Sequence, residues 1–414
     1  MTNLIVVALV LVVFFVISFL TNILGPLIPD IIHSFELSVG LAGFLPFAFF
    51  VAYGVMSIPS GILVEKYSEK PVIISAFLLS AIGAFVFAIN PSFLVAMLSL
   101  FSIGVGMAML QVAINPLLRT AGGEENFAFN SVLAQLFFGL ASFLSPQVYS
   151  YLVVPSESSS SLRDVLLNLV PANLQWVSLY WVFAVISMLM VVIVATVKLP
   201  KVIKSDEEKV EGLEVYIELF KNRTVLFFFF GIMCYVGAEQ GIANWISQFL
   251  FIYHDVDPKT VGADTISNFW GALTLGCILG LATLKLIDSK LALMGFSVAA
   301  VICLLTALFG SKEVSLIAFP MVGFFLSVMW SVIFSLALNS LSDHHGAFSG
   351  ILCTGIVGGA FFPLIVGNIA QVSSLQYGMM FMLLPLVYIF IIGLKAQPII
   401  KNKTIFSQTE ASVS

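Results

Sequence analysis

Five hydrogen-bonding side chains interrupt an apolar stretch, GIMCYVGAEQGIANWISQFLFI at residues 231–252: Glu239, Gln240, Asn244, Trp245 and Gln248. At 100° per residue, Gln240, Asn244 and Gln248 fall at i, i+4 and i+8, one stripe along a helix face. Glu239 sits beside the head of that stripe. A carboxylate at membrane depth costs a few kcal/mol even on lenient insertion scales, so it marks function by default. Such an acid either stays protonated against a neighbouring amide or gains and loses a cation, and H+ and Na+ both fit. No other acid lies deep in an apolar run, so Glu239 is the expected cation-coupling residue. Sodium at Glu239 is the only metal this reading admits, and no organic cofactor is expected.

Further amides lie in other apolar runs. Asn22 follows Thr21 in the first, with Pro26 and Pro29 beyond it, a pattern that predicts a bent or locally opened helix. Gln111, Asn115 and Arg119 repeat the i, i+4, i+8 spacing. Gln135, Asn268 and Trp330 each interrupt another run. Such amides either line a cavity or tie one helix to the next, worth ~0.6 kcal/mol each on average. Trp245 suits a binding cavity or the interfacial aromatic belt; Trp330, mid-run, suits the belt less well. Hydroxyls want paired hydrogen bonds and a C–H face wants an aromatic surface, so amides beside indoles suit a sugar. The candidate substrate-binding set is Asn22, Gln111, Asn115, Gln135, Gln240, Asn244, Trp245, Asn268 and Trp330. Arg119, nearer a membrane surface, pairs with Glu124 or Glu125 as an expected gate or anchor. His344 and His345 read as solvated loop residues.

The elements that must position these groups are transmembrane helices. Of 414 residues, 60% are hydrophobic and 9% charged, far from a soluble domain. Apolar runs of roughly twenty residues recur, the length that spans ~30 Å of hydrocarbon. The expected spans are 4–33, 40–66, 71–90, 94–120, 126–153, 174–197, 223–253, 261–287, 290–310, 314–342, 346–372 and 375–396. The fold class is thus an all-α membrane protein with twelve helices. The hydrophilic break divides the chain into a first bundle (1–197), a cytoplasmic linker (198–222) and a second bundle (223–396), with a tail (397–414). Part of the linker, Glu211 to Lys221, reads as a surface helix. Of the 17 lysines and arginines, only Arg163, Lys259 and Lys312 fall outside the loops and tails on the side of the termini. Positive charge collects inside, so both termini are expected in the cytoplasm.

The halves share one register. Adding 219 takes Gly61 to Gly280, Lys66 to Lys285, Glu69 to Asp288, Gly104 to Gly323 and Gly139 to Gly358. Parallel six-helix repeats predict two pseudo-symmetric bundles with a midplane site between them. The composition offers no basic patch for nucleic acid, and the spans hold no nucleophile–base pair for an enzyme. Cys234, Cys277, Cys303 and Cys353 lack disulfide or metal spacing and read as packing residues. The lipid bilayer is the expected partner, and a monomer the expected unit.

Specific segments strengthen this reading: GILVEKYSEK (61–70), LQVAINPLLR (110–119), VLAQ (132–135), YVGAEQGIANWI (235–246), NFWGA (268–272) and SVIFSLALNSLSDHHGAFSGILCTGIVGGAFFPLIVG (331–367). Together they resemble the major facilitator superfamily and, within it, the fucose–proton symporter family, over nearly the whole chain. The resemblance implies alternating access and cation-coupled uptake of a monosaccharide across a bacterial inner membrane. It also implies that Gln111, Asn115, Gln135, Glu239, Asn244 and Asn268 line the sugar cavity or couple the cation. Two positions depart from the proton-coupled pattern. Gly25 stands where those members carry an acid in the first span, and Gln111 stands where they carry one in the fourth. Glu239 is then the carboxylate left for coupling, and sodium coupling or uncoupled transport stays open. The alternative class is a facilitator or exporter of a non-sugar solute such as a drug, nucleoside or peptide.

Overall fold

The structure, a computed structural model, describes residues 3–122, 127–154, 161–200, 213–341 and 344–399. Twelve of its helical stretches are long and apolar enough to cross a membrane: Leu4–Ser34, Val39–Tyr67, Glu69–Ile89, Phe93–Gly122, Leu133–Val153, Gln175–Thr196, Arg223–Ala243, Pro258–Leu284, Ser289–Phe309, Lys312–Leu338, Ala347–Val372 and Leu375–Lys395. They are called spans one to twelve. Hydrocarbon offers backbone amides no partner, so runs of this composition close their hydrogen bonds internally as helices. Large apolar side chains such as Leu94, Val185 and Ile317 stay exposed on the outer faces, as lipid contact requires.

Two hydrophobic cores form. One draws almost wholly on the first six spans, the other on the last six with Tyr216 and Leu219 of the short linker helix Leu213–Leu219. That helix falls inside the surface helix expected from the sequence, and it packs on the start of span eleven. Arg119 belongs to span four, but its side chain lies outside the described residues, as does Glu124.

The repeat is visible in contacts as well as in residue types. A Cβ on Gly104 of span four would strike the carbonyl oxygen of Phe49 in span two. A Cβ on Gly323 of span ten would strike that of Phe269 in span eight. In both halves a glycine thus lets two helix backbones approach closely, as small residues do between membrane helices. Lys70 donates to the carbonyls of Ala195 and Val197 at the end of span six, both at 2.8 Å. Lys290 donates to that of Ala396, just past span twelve, at 2.6 Å. The halves meet along span two against span eleven and span five against span eight.

Spans one and seven are each interrupted near the midplane. Helix Leu4–Thr21 ends on Asn22, whose backbone N–H still bonds to Ser18, and the chain resumes as Leu24–Ser34. Helix Arg223–Ala243 ends on Asn244 and resumes as Ile246–His254. The local opening expected of the helix near Asn22 is present. Its counterpart in span seven falls inside the polar stripe, so Gln248 lies beyond the break.

Candidate functional site

Glu239 is half-buried on span seven, one turn after Tyr235. The Tyr235 hydroxyl donates to Glu239 Oε1 at 2.7 Å, and its own ring is buried 6.0 Å from that of Trp330 in span ten. Trp330 is half-buried and stacks on Phe334, with centroids 5.9 Å apart and planes at 24°. Cys277 of span eight, within electrostatic range of Glu239, donates its thiol hydrogen to the Ser327 carbonyl at 3.3 Å. The carboxylate is therefore neither sealed in apolar packing nor matched with a cation among the described residues. It accepts from the Tyr235 hydroxyl and from the Gln240 side chain, and Trp330 packs against the Tyr235 ring.

Beside it the amides converge, but on one another. Gln240 Nε2 donates to Asn22 Oδ1 at 3.3 Å, bridging the two halves. Asn244 Nδ2 donates to Gln240 Oε1 at 3.3 Å and to the Gln240 carbonyl at 2.9 Å. Asn22 Nδ2 donates to Ser142 Oγ at 2.8 Å and to Ser18 Oγ at 3.3 Å. All five side chains are buried. Ser18 and Ser142 escaped the sequence reading because a serine in an apolar helix is commonplace and satisfies itself against its own backbone. Gly25 belongs to the same junction: a Cβ there would lie 2.8 Å from the Ala243 carbonyl oxygen. The residue that departs from the family's acid is thus where span one presses on the break of span seven.

The other candidates stand apart from this cluster. Gln111 is half-buried and Asn115 exposed, its Nδ2 donating to the Gln111 carbonyl at 3.0 Å. Gln135 and Asn268 are exposed, with no side-chain partner among the described residues. Trp245 needs correcting. It is fully buried, its N–H donates to the Pro363 carbonyl at 3.1 Å, and its ring packs against Gly367 of span eleven. An indole with its donor taken and no open face joins helices; it does not meet a solute.

Beyond the break, at the end away from the termini, the halves are locked by polar contacts. Lys259 Nζ lies 3.5 Å from Asp30 Oδ1, and the buried Tyr149 hydroxyl donates to Asp30 Oδ2 at 2.8 Å. The Ser150 hydroxyl donates to the Lys259 carbonyl. Gln147 donates to Asp264 Oδ1 at 2.8 Å and to Ser267 Oγ at 3.2 Å, and Ser267 in turn to the Phe143 carbonyl at 2.9 Å. Leu24–Ser34 packs against Ile246–His254 at the same end. Between described residues, no hydrogen bond joins the halves on the terminal side of Asn22 and Gln240. Among the described residues, then, the halves are latched at the far end and carry no such bond at the other, the unlatched end.

Comparison with known proteins agrees with this architecture. Residues 10–363 match the family model of the Major Facilitator Superfamily. The chain belongs to that superfamily. A glucose/galactose transporter of Brucella abortus is 30% identical over 394 residues, 92% of this chain and 91% of that one. An L-fucose-proton symporter of Escherichia coli is 24% identical over 385 residues, covering 89% and 87%. Among solved structures, the Escherichia coli fucose:proton symporter superimposes with a TM-score of 0.68 at 23% identity, covering 96% of this chain and 100% of that one. An inward-facing, unoccupied bacterial homologue of the human lysosomal transporter Spinster gives 0.77 at 14% identity, covering 94% and 97%. This superfamily member is accordingly a transporter and not an enzyme.

Proposed function

We propose that the protein imports a monosaccharide across a bacterial inner membrane by cation symport, with Glu239 as the coupling group. The observation that carries this reading is the half-buried carboxylate, held by Tyr235, whose ring meets Trp330, beside amides contributed by both halves. Relatives named for glucose, galactose and fucose support the sugar. Gln111, Gln135 and Asn268 keep amide groups open at membrane depth, which is tolerable only against a polar space, so they extend the site toward the unlatched end. The lysine and arginine bias supports cytoplasmic termini, and with that orientation polar ties gathered at the far end favour an inward-facing state.

The surroundings of Glu239 favour a proton over sodium. A hard cation gathers several oxygen ligands. The groups that the described residues place near this carboxylate are the Tyr235 phenol, the Cys277 thiol and the Gln240 amide, of which the amide supplies a single carbonyl oxygen. Cation binding at one carboxylate shifts the access equilibrium by its differential affinity for the two states.

The test is uptake of labelled glucose, galactose and fucose into proteoliposomes under separately imposed pH and sodium gradients. Wild type should accumulate one of these sugars under the pH gradient. Glu239→Gln should lose accumulation while retaining exchange. Accumulation by Glu239→Gln equal to wild type would remove Glu239 from the mechanism.

A further inference from the structure

The residues that would hold a sugar at the midplane hold each other in this state. We infer that Asn22, Gln240 and Asn244 exchange partners during transport: sugar hydroxyls when the far end is open, one another when it is shut. Ser142 and Ser18 are then the positioning residues that fix Asn22 in the shut arrangement. The inference rests on the sugar-transport reading above for the identity of the competing ligand, but the clasp itself stands on geometry.

Three observations carry it. The amides are mutually engaged: Asn22 uses its amide hydrogens on Ser142 and Ser18 and its oxygen on Gln240, whose oxygen accepts from Asn244 and whose side chain also bonds Glu239. Buried amides satisfied this way carry no desolvation penalty when no sugar is present, so the shut state is stable empty. The serines are preset: Ser18 Oγ donates to the Phe138 carbonyl at 2.5 Å and accepts from Ser142 Oγ at 2.6 Å, which leaves both oxygens free to accept from Asn22. Finally, Asn22 caps the near piece of span one and Gln240 lies in the near piece of span seven, so their bond ties the two halves directly and must break when the halves part at this level. A solute must both donate and accept to replace an amide–amide bond. A polyol does, and an apolar solute does not.

Release then follows from re-pairing. As the far end shuts, the amides leave the sugar for each other, and the solute departs toward the unlatched end. A ligand moves such an equilibrium only through different affinities for the two states, and competition for Asn22 and Gln240 supplies the difference.

The test reads opening of the far end directly. Ile28 is fully buried there, in the core of the opposite half. In the full-length chain with Cys234, Cys277, Cys303 and Cys353 changed to alanine, Ile28→Cys supplies one reporter for a membrane-impermeant maleimide. Ser142→Ala should speed labelling about 3- to 10-fold, the size of one lost hydrogen bond. Ser142→Thr, which keeps the hydroxyl, should label near the parent rate. Gln240→Met, close in length but without amide groups, gives an independent variant and should speed labelling too. Galactose or glucose should speed labelling of the parent and do so less in Ser142→Ala. Parent-like labelling in both Ser142→Ala and Gln240→Met, equal acceleration by alanine and threonine at 142, or no response of the parent to either sugar would overturn the exchange. Labelling without sugar at one fixed pH compares parent and serine variants at the same occupancy of Glu239, whereas coupling is read from accumulation under imposed gradients. The clasp can therefore fail while the coupling reading survives, and the reverse.

Discussion

Asp30 offers the sharpest test of the latch. Its two oxygens serve different partners: Oδ1 the ammonium of Lys259 at 3.5 Å, Oδ2 the hydroxyl of Tyr149 at 2.8 Å. The Lys259 side chain is 42% exposed, so the ion pair is screened and worth ~0–1 kcal/mol. The hydroxyl is a different matter, because Tyr149 is fully buried. Asp30→Asn removes the charge and keeps an acceptor, which predicts a shift toward the open far end of at most about 5-fold. Asp30→Ala orphans a buried donor at about 1–3 kcal/mol, or roughly 5- to 150-fold. Tyr149 and Asp30 both belong to the first half, so this penalty favours the open state to the extent that opening lets water reach the hydroxyl, and the figure is an upper bound on the shift. Maleimide labelling at the Ile28→Cys position measures the ratio. Equal labelling in the alanine and asparagine variants would refute the assignment of the larger share to Tyr149, and parent-like labelling in both would dismiss the latch.

Three further outcomes are expected. Trp245→Phe removes the N–H that serves the Pro363 carbonyl and should lower thermal stability by about 1–3 kcal/mol while leaving sugar affinity unchanged; a selective loss of affinity would return Trp245 to the binding site. Gly104→Val and Gly323→Val should each destabilise their own half by ~1–3 kcal/mol or more, since each side chain meets a carbonyl that cannot retreat, and a thermal-unfolding difference between them would show unequal repeats. Lys70→Met and Lys290→Met should each cost about 1.5–3 kcal/mol by freeing carbonyls at the ends of spans six and twelve, and unaltered melting in both would mean that water serves those carbonyls equally well.

Much of this architecture was legible in residue order. Twelve runs of bilayer length, a hydrophilic divide and a constant 219-residue step needed no coordinates, and the break at Asn22 followed from its prolines and amide. The three cations that defied the charge bias were informative without being explained. Arg163 turns inward to the carbonyls of Leu152 and Val154, and Lys259 finds Asp30 from the other half. What the order of residues does not contain is the register between helices from different halves. Asn22 and Gln240 were read as separate sugar contacts, and only their 3.3 Å approach reveals them as partners. Trp245 failed for the same reason: its type suggested a sugar face, but the Pro363 carbonyl beside it comes from more than a hundred residues away.

The interruptions in spans one and seven turn each into two stiff rods on a short joint. The piece Leu24–Ser34 has 11 residues, so it is about 16 Å long at the usual helical rise. A tilt of about 15° about Asn22 moves its tip by roughly 4 Å, one hydroxymethyl group's worth of clearance. A lean of these two short arms adds that clearance to whatever the parting of the bundles supplies. A guest one ring larger would hold the arms apart, and so size is screened where they meet.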